Sequence, residues 1–69
     1  MENFELNGRE FVELCNILKL LGLCSSGGIA KLAISEGRVF VDGETELRKR
    51  CKIRSGQVVE FEGERITIS

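Results

Sequence analysis

Five basic residues fall within seven consecutive positions near the middle of this 69-residue chain. The segment reads Arg48-Lys49-Arg50-Cys51-Lys52-Ile53-Arg54 and contains no acidic residue. Lysine and arginine side chains neutralise phosphates and release condensed counterions, and arginine can also stack on exposed bases. This pattern favours binding to a nucleic acid. The alternative is a solvated charged face whose cations pair with nearby acids such as Glu44 and Glu46.

The distribution of charge matters more here than its sum. The formal net charge is −1, from ten basic and eleven acidic residues. Six of the ten basic residues lie between Arg38 and Arg54, whereas the acids concentrate near Glu10, at 42–46 and at 60–64. Separated signs give a dipolar surface with a strong local field, so a neutral total does not exclude a polyanionic partner.

A second candidate site for a phosphate is the run Ser25-Ser26-Gly27-Gly28. It opens a predicted helix, whose free N–H groups could hold a phosphate while Gly27 and Gly28 let it come close. The alternative interpretation is a flexible helix start. Lys31 on the same helix and Arg38 before the first predicted strand are the next candidates for phosphate contacts.

Catalytic and metal chemistry find little support among the residue types. The chain has no histidine, and its three cysteines fall short of the four ligands of a structural zinc site. An odd number of cysteines predicts reduced thiols and no disulfide framework. Free cysteines are most often small buried hydrophobes, and the alternative is a reactive or metal-linked role. We therefore predict no catalytic residue, no metal and no cofactor, and expect the protein not to be an enzyme.

Hydropathy and the composition of the first residues predict where in the cell the protein lies. No stretch approaches the roughly 20 apolar residues of a membrane span. The first residues, Met1 to Glu5, are acidic and lack the basic and apolar regions of a signal peptide. These features predict a cytoplasmic protein with no membrane partner.

Two helices are predicted from apolar residues that recur with the helical period of about 3.6 residues. The first runs from Arg9 or Glu10 to about Leu21, and Gly22 can end it in the left-handed conformation. Its predicted buried face consists of Phe11, Leu14, Cys15, Leu18 and Leu21. Ser25 or Ser26 can cap a second helix, which Gly37 ends in the same way. Its predicted apolar face consists of Ile29, Ala30, Ala33 and Ile34.

The remaining segments alternate with the period of a strand. Phe4-Glu5-Leu6 predicts an edge strand before the Asn7-Gly8 turn. Val39 and Val41 face one way, and strands around Val59 and at 65–68 follow the basic segment. If the basic segment is also extended, four of its cations share one face: Arg48, Arg50, Lys52 and Arg54. We predict a single α+β domain over 1–69, with two packed N-terminal helices followed by a small antiparallel sheet of three to four short strands.

Small and apolar residues at fixed spacing carry a family resemblance. They are Leu14, Leu18, Gly22, Ser26, Ala30, Ile34, Gly37, Val39, Val41, Asp42-Gly43, Ile53, Gly56-Gln57 and Val59. With them the chain resembles the S4 RNA-binding domain of a ribosomal small-subunit protein, pseudouridine synthases and some tRNA synthetases. The resemblance implies the S4, or alpha-L, fold over a core motif of about 10–62.

The chain departs from the common pattern at three positions. Glu13, Cys15 and Gly27 stand where the family usually has Arg, Asp and Arg, so two phosphate anchors of the helices are missing. Ser26-Gly27-Gly28 and the basic segment are similar to a narrower group of stand-alone bacterial proteins of the YbcJ type. In such proteins the basic residues after the turn would replace the lost anchors.

These observations together predict binding to structured RNA, of the ribosomal or transfer RNA class, through a basic strand or loop and the helix-turn-helix face. The predicted contacts are Arg48, Lys49, Arg50, Lys52, Arg54, Lys31, Arg38, Gly27 and Gly28. An alternative is a protein–protein adaptor whose basic strand meets an acidic partner, and a ribosome or protein partner is compatible with either function. DNA is an unlikely ligand, because the first turn of the second helix (27–30) offers no side chain that reads base edges.

Overall fold

The computed structural model describes residues 2–69, which form two helices and seven strands. In chain order the elements are β1 (Glu2–Phe4), β2 (Val12–Glu13), α1 (Leu14–Leu20), α2 (Gly27–Ser35), β3 (Val39–Val41), β4 (Glu44–Thr45), β5 (Lys52–Ile53), β6 (Val58–Phe61) and β7 (Glu64–Ile68). The α+β class predicted from the sequence is confirmed. The order differs from two N-terminal helices followed by a sheet, because β1 and β2 precede the helices and only an edge strand near β1 was predicted there.

The main sheet is mixed, whereas the sequence predicted an antiparallel sheet of three to four strands. Its five strands run in the order β1-β7-β6-β3-β4, and β1 pairs parallel with β7 while the other pairs are antiparallel. A separate two-stranded sheet joins β2 to β5. The edge strand predicted at 4–6 lies at 2–4, and its register sets Phe4 beside Ile68.

Helix α1 is shorter than the predicted helix from residue 9 or 10. Val12 and Glu13 pair with Ile53 and Lys52, so the helix begins only at Leu14. At its other end Gly22 has a φ of 75°, and the N–H groups of Gly22 and Leu23 donate to the carbonyls of Lys19 and Leu18. This pair of bonds is the Schellman arrangement, which confirms the predicted stop.

Helix α2 begins as predicted, since the Ser26 hydroxyl accepts a hydrogen bond from the Ile29 N–H at 3.2 Å. Ala30, Ala33 and Ile34 are buried, and small residues let α2 pack closely on α1. Ile29, however, was predicted to be buried and is 49% exposed. The buried stripe is therefore narrower than the periodicity suggested, because α2 covers the core with only one edge of its apolar face.

The hydrophobic core lies between the helix pair and the inner face of the main sheet. Val39, Val59 and Ile66 from adjacent strands are all fully buried, and Leu14, Ile17, Leu18 and Ile34 meet them from the helices. The predicted Asp42-Gly43 turn is confirmed, with both residues at positive φ between β3 and β4. Among residues 2–69, no helix combines the length and the apolar character that crossing a membrane requires.

Candidate nucleic-acid interface

The basic segment forms a loop, named here the basic loop (residues 48–54), and is not extended throughout, which was the condition for its alternating cations to share one face. Only Lys52 and Ile53 are extended, and Lys49 and Arg50 form a turn. The cations therefore do not share one face of a strand. They follow a curved chain that leaves β4 and returns along β2.

The start of helix α1 determines the path of the basic loop. The N–H groups of Leu14 and Cys15 donate to the carbonyls of Cys51 and Lys49, at 2.9 and 3.2 Å. The N-cap residue Glu13 makes no side-chain cap bond. Since the first N–H groups of a helix have no partner within the helix, the loop carbonyls satisfy them and are themselves held in place. This arrangement fixes the cations beside the helix start.

Glu46 closes the base of the basic loop by binding Arg48 and Cys51. Its carboxylate accepts bonds from the Arg48 N–H at 3.0 Å and from the guanidinium Nε and Nη2 at 2.9 and 3.1 Å. The Cys51 thiol donates to the same carboxylate at 3.6 Å. The Glu46 side chain is 17% exposed, whereas that of Arg48 is 78% exposed. Arg48 therefore has one edge engaged in the loop and the rest open to solvent.

These bonds predict a pH dependence of stability that belongs to Glu46. The hydrogen bonds from Arg48 lower the pKa of Glu46 from 4.5 to about 2. A depressed carboxylate pKa stabilises the fold above the unfolded value, and this stabilisation is lost as the pH falls from about 4.5 towards 2. We expect Glu46→Gln to remove that part of the acid destabilisation, measured as the difference between urea unfolding curves of the two proteins at pH 7 and pH 2.5.

Glu64→Gln provides the control for this comparison. Glu64 is exposed and makes no ion pair within residues 2–69. Its replacement should leave the acid sensitivity of the wild type in place. Equal acid sensitivity in Glu46→Gln and the wild type would show that the hydrogen bonds of Glu46 do not contribute to the pH dependence of stability.

Phe11 holds two cations at the far end of the basic loop. Lys52 Nζ lies 4.9 Å from the centre of the Phe11 ring, and Arg54 Cζ lies 5.7 Å from it. Arg54 also pairs with Glu10 at 3.7 Å. Periodicity assigned Phe11 to the buried face of a longer helix, so this role was missed. No local sequence signal distinguishes the two roles, because the contact depends on the pairing of β2 with β5.

Three cations of the basic loop have no acidic partner among residues 2–69. They are Lys49, Arg50 and Lys52, and all three are exposed. A surface cavity of about 370 Å³ lies beside them, lined by Arg48, Arg50, Cys51 and Lys52. The structure thus places unpaired positive charge beside a concave surface, and clustered positive charge attracts a polyanion.

The other predicted contacts lie outside the basic loop. Arg38 follows α2, pairs with Glu36 and Glu62, and lies over the Phe61 ring. Lys31 is a half-buried residue of α2 with no ion pair among residues 2–69.

Gly27 and Gly28 are the first two residues of α2, and neither has a positive φ. A Cβ at Gly27 would lie 3.9 Å from the Lys19 side chain and one at Gly28 3.8 Å from the Ser26 hydroxyl, which are ordinary contacts. Packing therefore does not require glycine at either position. The predicted close approach of a phosphate to this helix start stays a prediction.

The helix pair, the basic loop at the start of α1 and the mixed sheet define an α+β domain of the S4, or alpha-L, type. The family model described as "S4 domain" matches residues 4–69. The chain belongs to the S4 domain family.

Two kinds of relative are similar to this chain over most of its length. "Putative RNA-binding protein YbcJ" of Escherichia coli (strain K12) is 52% identical over 68 residues, which cover 99% of this chain and 97% of that protein. "Probable ribosome maturation protein RlbA" of Bacillus subtilis (strain 168) is 43% identical over 54 residues, covering 78% and 76% of the two chains.

A solved structure agrees with this placement. The solution structure of E. coli YbcJ superposes with a TM-score of 0.75 at 51% identity, covering 99% of this chain and 86% of the other. That structure is described as revealing an alpha-L motif involved in RNA binding.

Proposed function

We propose that this protein binds structured RNA through the basic loop. The observation that carries the proposal is the set of unpaired, exposed cations Lys49, Arg50 and Lys52, held beside the start of α1 by the bonds from Leu14 and Cys15. The bonds from the helix N–H groups hold the backbone from which these side chains project. Less conformational freedom is then lost when a phosphate backbone docks.

The remaining cations contribute unequally to the proposed surface. Arg48 and Arg54 each have an acidic partner, so binding a phosphate means sharing the cation with Glu46 or Glu10. Arg38 is engaged by two carboxylates and ranks below them. The main contacts are therefore Lys49, Arg50 and Lys52, with Arg48, Arg54 and Lys31 as secondary ones.

The relatives support RNA as the partner and ribosomal RNA as its class. YbcJ is described as an RNA-binding protein, and RlbA is named for ribosome maturation. An A-form stem is read by shape and backbone contacts more than by sequence, which suits a surface of charge and one aromatic ring. We assign RNA binding, and no chemical reaction, to this surface.

The salt dependence of the affinity tests the electrostatic mechanism. With about four to six phosphates neutralised, log affinity for a ribosomal RNA hairpin should fall with log salt at a slope of about −3 to −5. Fluorescence anisotropy from about 50 to 200 mM salt measures it. An affinity that does not change with salt would contradict the electrostatic mechanism. If RNA does not bind and a protein partner is still recovered in a pull-down after nuclease treatment, the adaptor function is favoured instead.

A further inference from the structure

The cavity beside the basic loop has a half-buried thiol, that of Cys51, among its exposed cations. Its lining residues Arg48, Arg50 and Lys52 are exposed, whereas Cys51 is half-buried. The Cys51 sulfur lies 3.6 Å from a Glu46 carboxylate oxygen. The inner side of the cavity is therefore a thiol backed by a negative charge, while the rim is positive.

This arrangement suits a neutral planar group against the inner wall, with phosphates at the positive rim. The inner wall offers a phosphate no free donor, because the Cys51 thiol donates to the Glu46 carboxylate, which Arg48 holds in its ionised form by lowering its pKa to about 2. Burial raises the pKa of the Cys51 thiol, which keeps the sulfur neutral. Guanidinium planes and the aliphatic stems of arginine and lysine offer surfaces on which a base can stack. The volume of about 370 Å³ is within the range of small-molecule pockets.

We infer that this cavity receives the base of an unpaired nucleotide, while the cations at its rim hold the flanking phosphates. The inference rests on the proposed RNA binding and adds the kind of RNA that is preferred. In an uninterrupted stem the bases are stacked and paired, so only a bulge, loop or junction can supply a free base. The preferred ligand is then a stem with an extruded nucleotide, and Arg50 is the residue that stacks on it.

Two hairpins with one bulged position each test the inference without a difference in charge. One carries a normal nucleotide at the bulge, and the other carries an abasic nucleotide with the same phosphate. We expect the hairpin with the base to bind about tenfold more tightly, which is typical of one stacked base. Arg50→Lys keeps the positive charge but removes the planar guanidinium, so it should reduce the ratio of the two affinities to about two. Arg65→Lys makes the same change at Arg65, which pairs with Glu60 outside the basic loop, and should keep the ratio.

Alkylation of Cys51 gives a second readout at the cavity itself. Cys15 and Cys24 are buried, so N-ethylmaleimide should modify Cys51 first, and peptide mass analysis identifies the site. The hairpin with the base should slow this modification more than the abasic hairpin does at equal occupancy.

The outcomes separate this inference from the function on which it rests. Equal affinity for the two hairpins with equal protection of Cys51 would overturn the base pocket and leave RNA binding standing. Binding of neither hairpin at low salt would overturn both proposals together. A tenfold preference that Arg50→Lys abolishes, with selective protection of Cys51, would support the pocket.

Discussion

Replacing Lys49, Arg50 and Lys52 together by glutamine should lower the affinity for structured RNA on the order of 100- to 500-fold at about 0.1 M salt. Each phosphate contact contributes about eightfold under these conditions, because its loss removes about 0.9 from the salt slope. The slope should accordingly move from about −4 to about −1. Anisotropy titrations of the wild type and the triple variant against one hairpin measure both quantities.

The variant is expected to fold, since all three side chains are exposed and none forms an ion pair within residues 2–69. A matching circular dichroism melt checks this point. Arg65→Gln serves as the control, because it removes a cation that lies on β7, outside the basic loop. Full affinity in a folded triple variant would mean that the basic loop is not the RNA site.

The second large effect is expected from Ile53, which joins the basic loop to the core. Its side chain is 0% exposed, and the residue pairs with Val12 between the cations Lys52 and Arg54. Ile53→Ala should lower the free energy of unfolding by about 2–5 kcal/mol, through lost burial and an unfilled cavity. The free energy of unfolding of a domain of this size is only about 3–5 kcal/mol, so a large part of the Ile53→Ala variant should be unfolded at 37 °C.

Urea denaturation followed by circular dichroism measures this loss, with two variants for comparison. Ile53→Val removes one methyl group and should cost about 0.5–1.5 kcal/mol. Leu47→Ala truncates a side chain that is 59% exposed, just before the basic loop, and should change stability by less than about 0.5 kcal/mol. If Ile53→Ala were as stable as Leu47→Ala, the loop would not depend on its buried anchor.

Local signals in the sequence predicted the parts of the fold that local physics decides. Gly22 and Gly37 stop the helices because each takes the left-handed conformation that glycine adopts most easily. Asp42-Gly43 makes a two-residue hairpin turn in which both residues have the positive φ that this turn requires. The alternation at Val39 and Val41 gave the buried face of β3.

Pairings between distant segments account for what the sequence did not show. The parallel pairing of β1 with β7 joins the two ends of the described chain, and no local pattern reports it. The contact of β2 with β5 converts residues 12–13 from the predicted helix to a strand. Both corrections come from tertiary contacts that override local propensity.

The candidate site was predictable in composition and not in shape. The cations were evident from the sequence, but the loop that carries them bends to satisfy the first N–H groups of α1. The bonds of Glu46 to Arg48 and Cys51 form within that loop, and the contacts of Phe11 with Lys52 and Arg54 depend on the pairing of β2 with β5. These contacts divide the predicted cations into paired and unpaired ones, which the sequence could not do.

The most direct test of the central claim is an NMR titration of the ¹⁵N-labelled protein with a ribosomal RNA hairpin. If the basic loop is the RNA site, the largest amide shifts should fall in residues 48–54 and in the first turn of α1, whose N–H groups bond to the loop. They should weaken as salt is added. Shifts concentrated at 60–64 on the acidic turn between β6 and β7, or no shifts at low salt, would contradict the account.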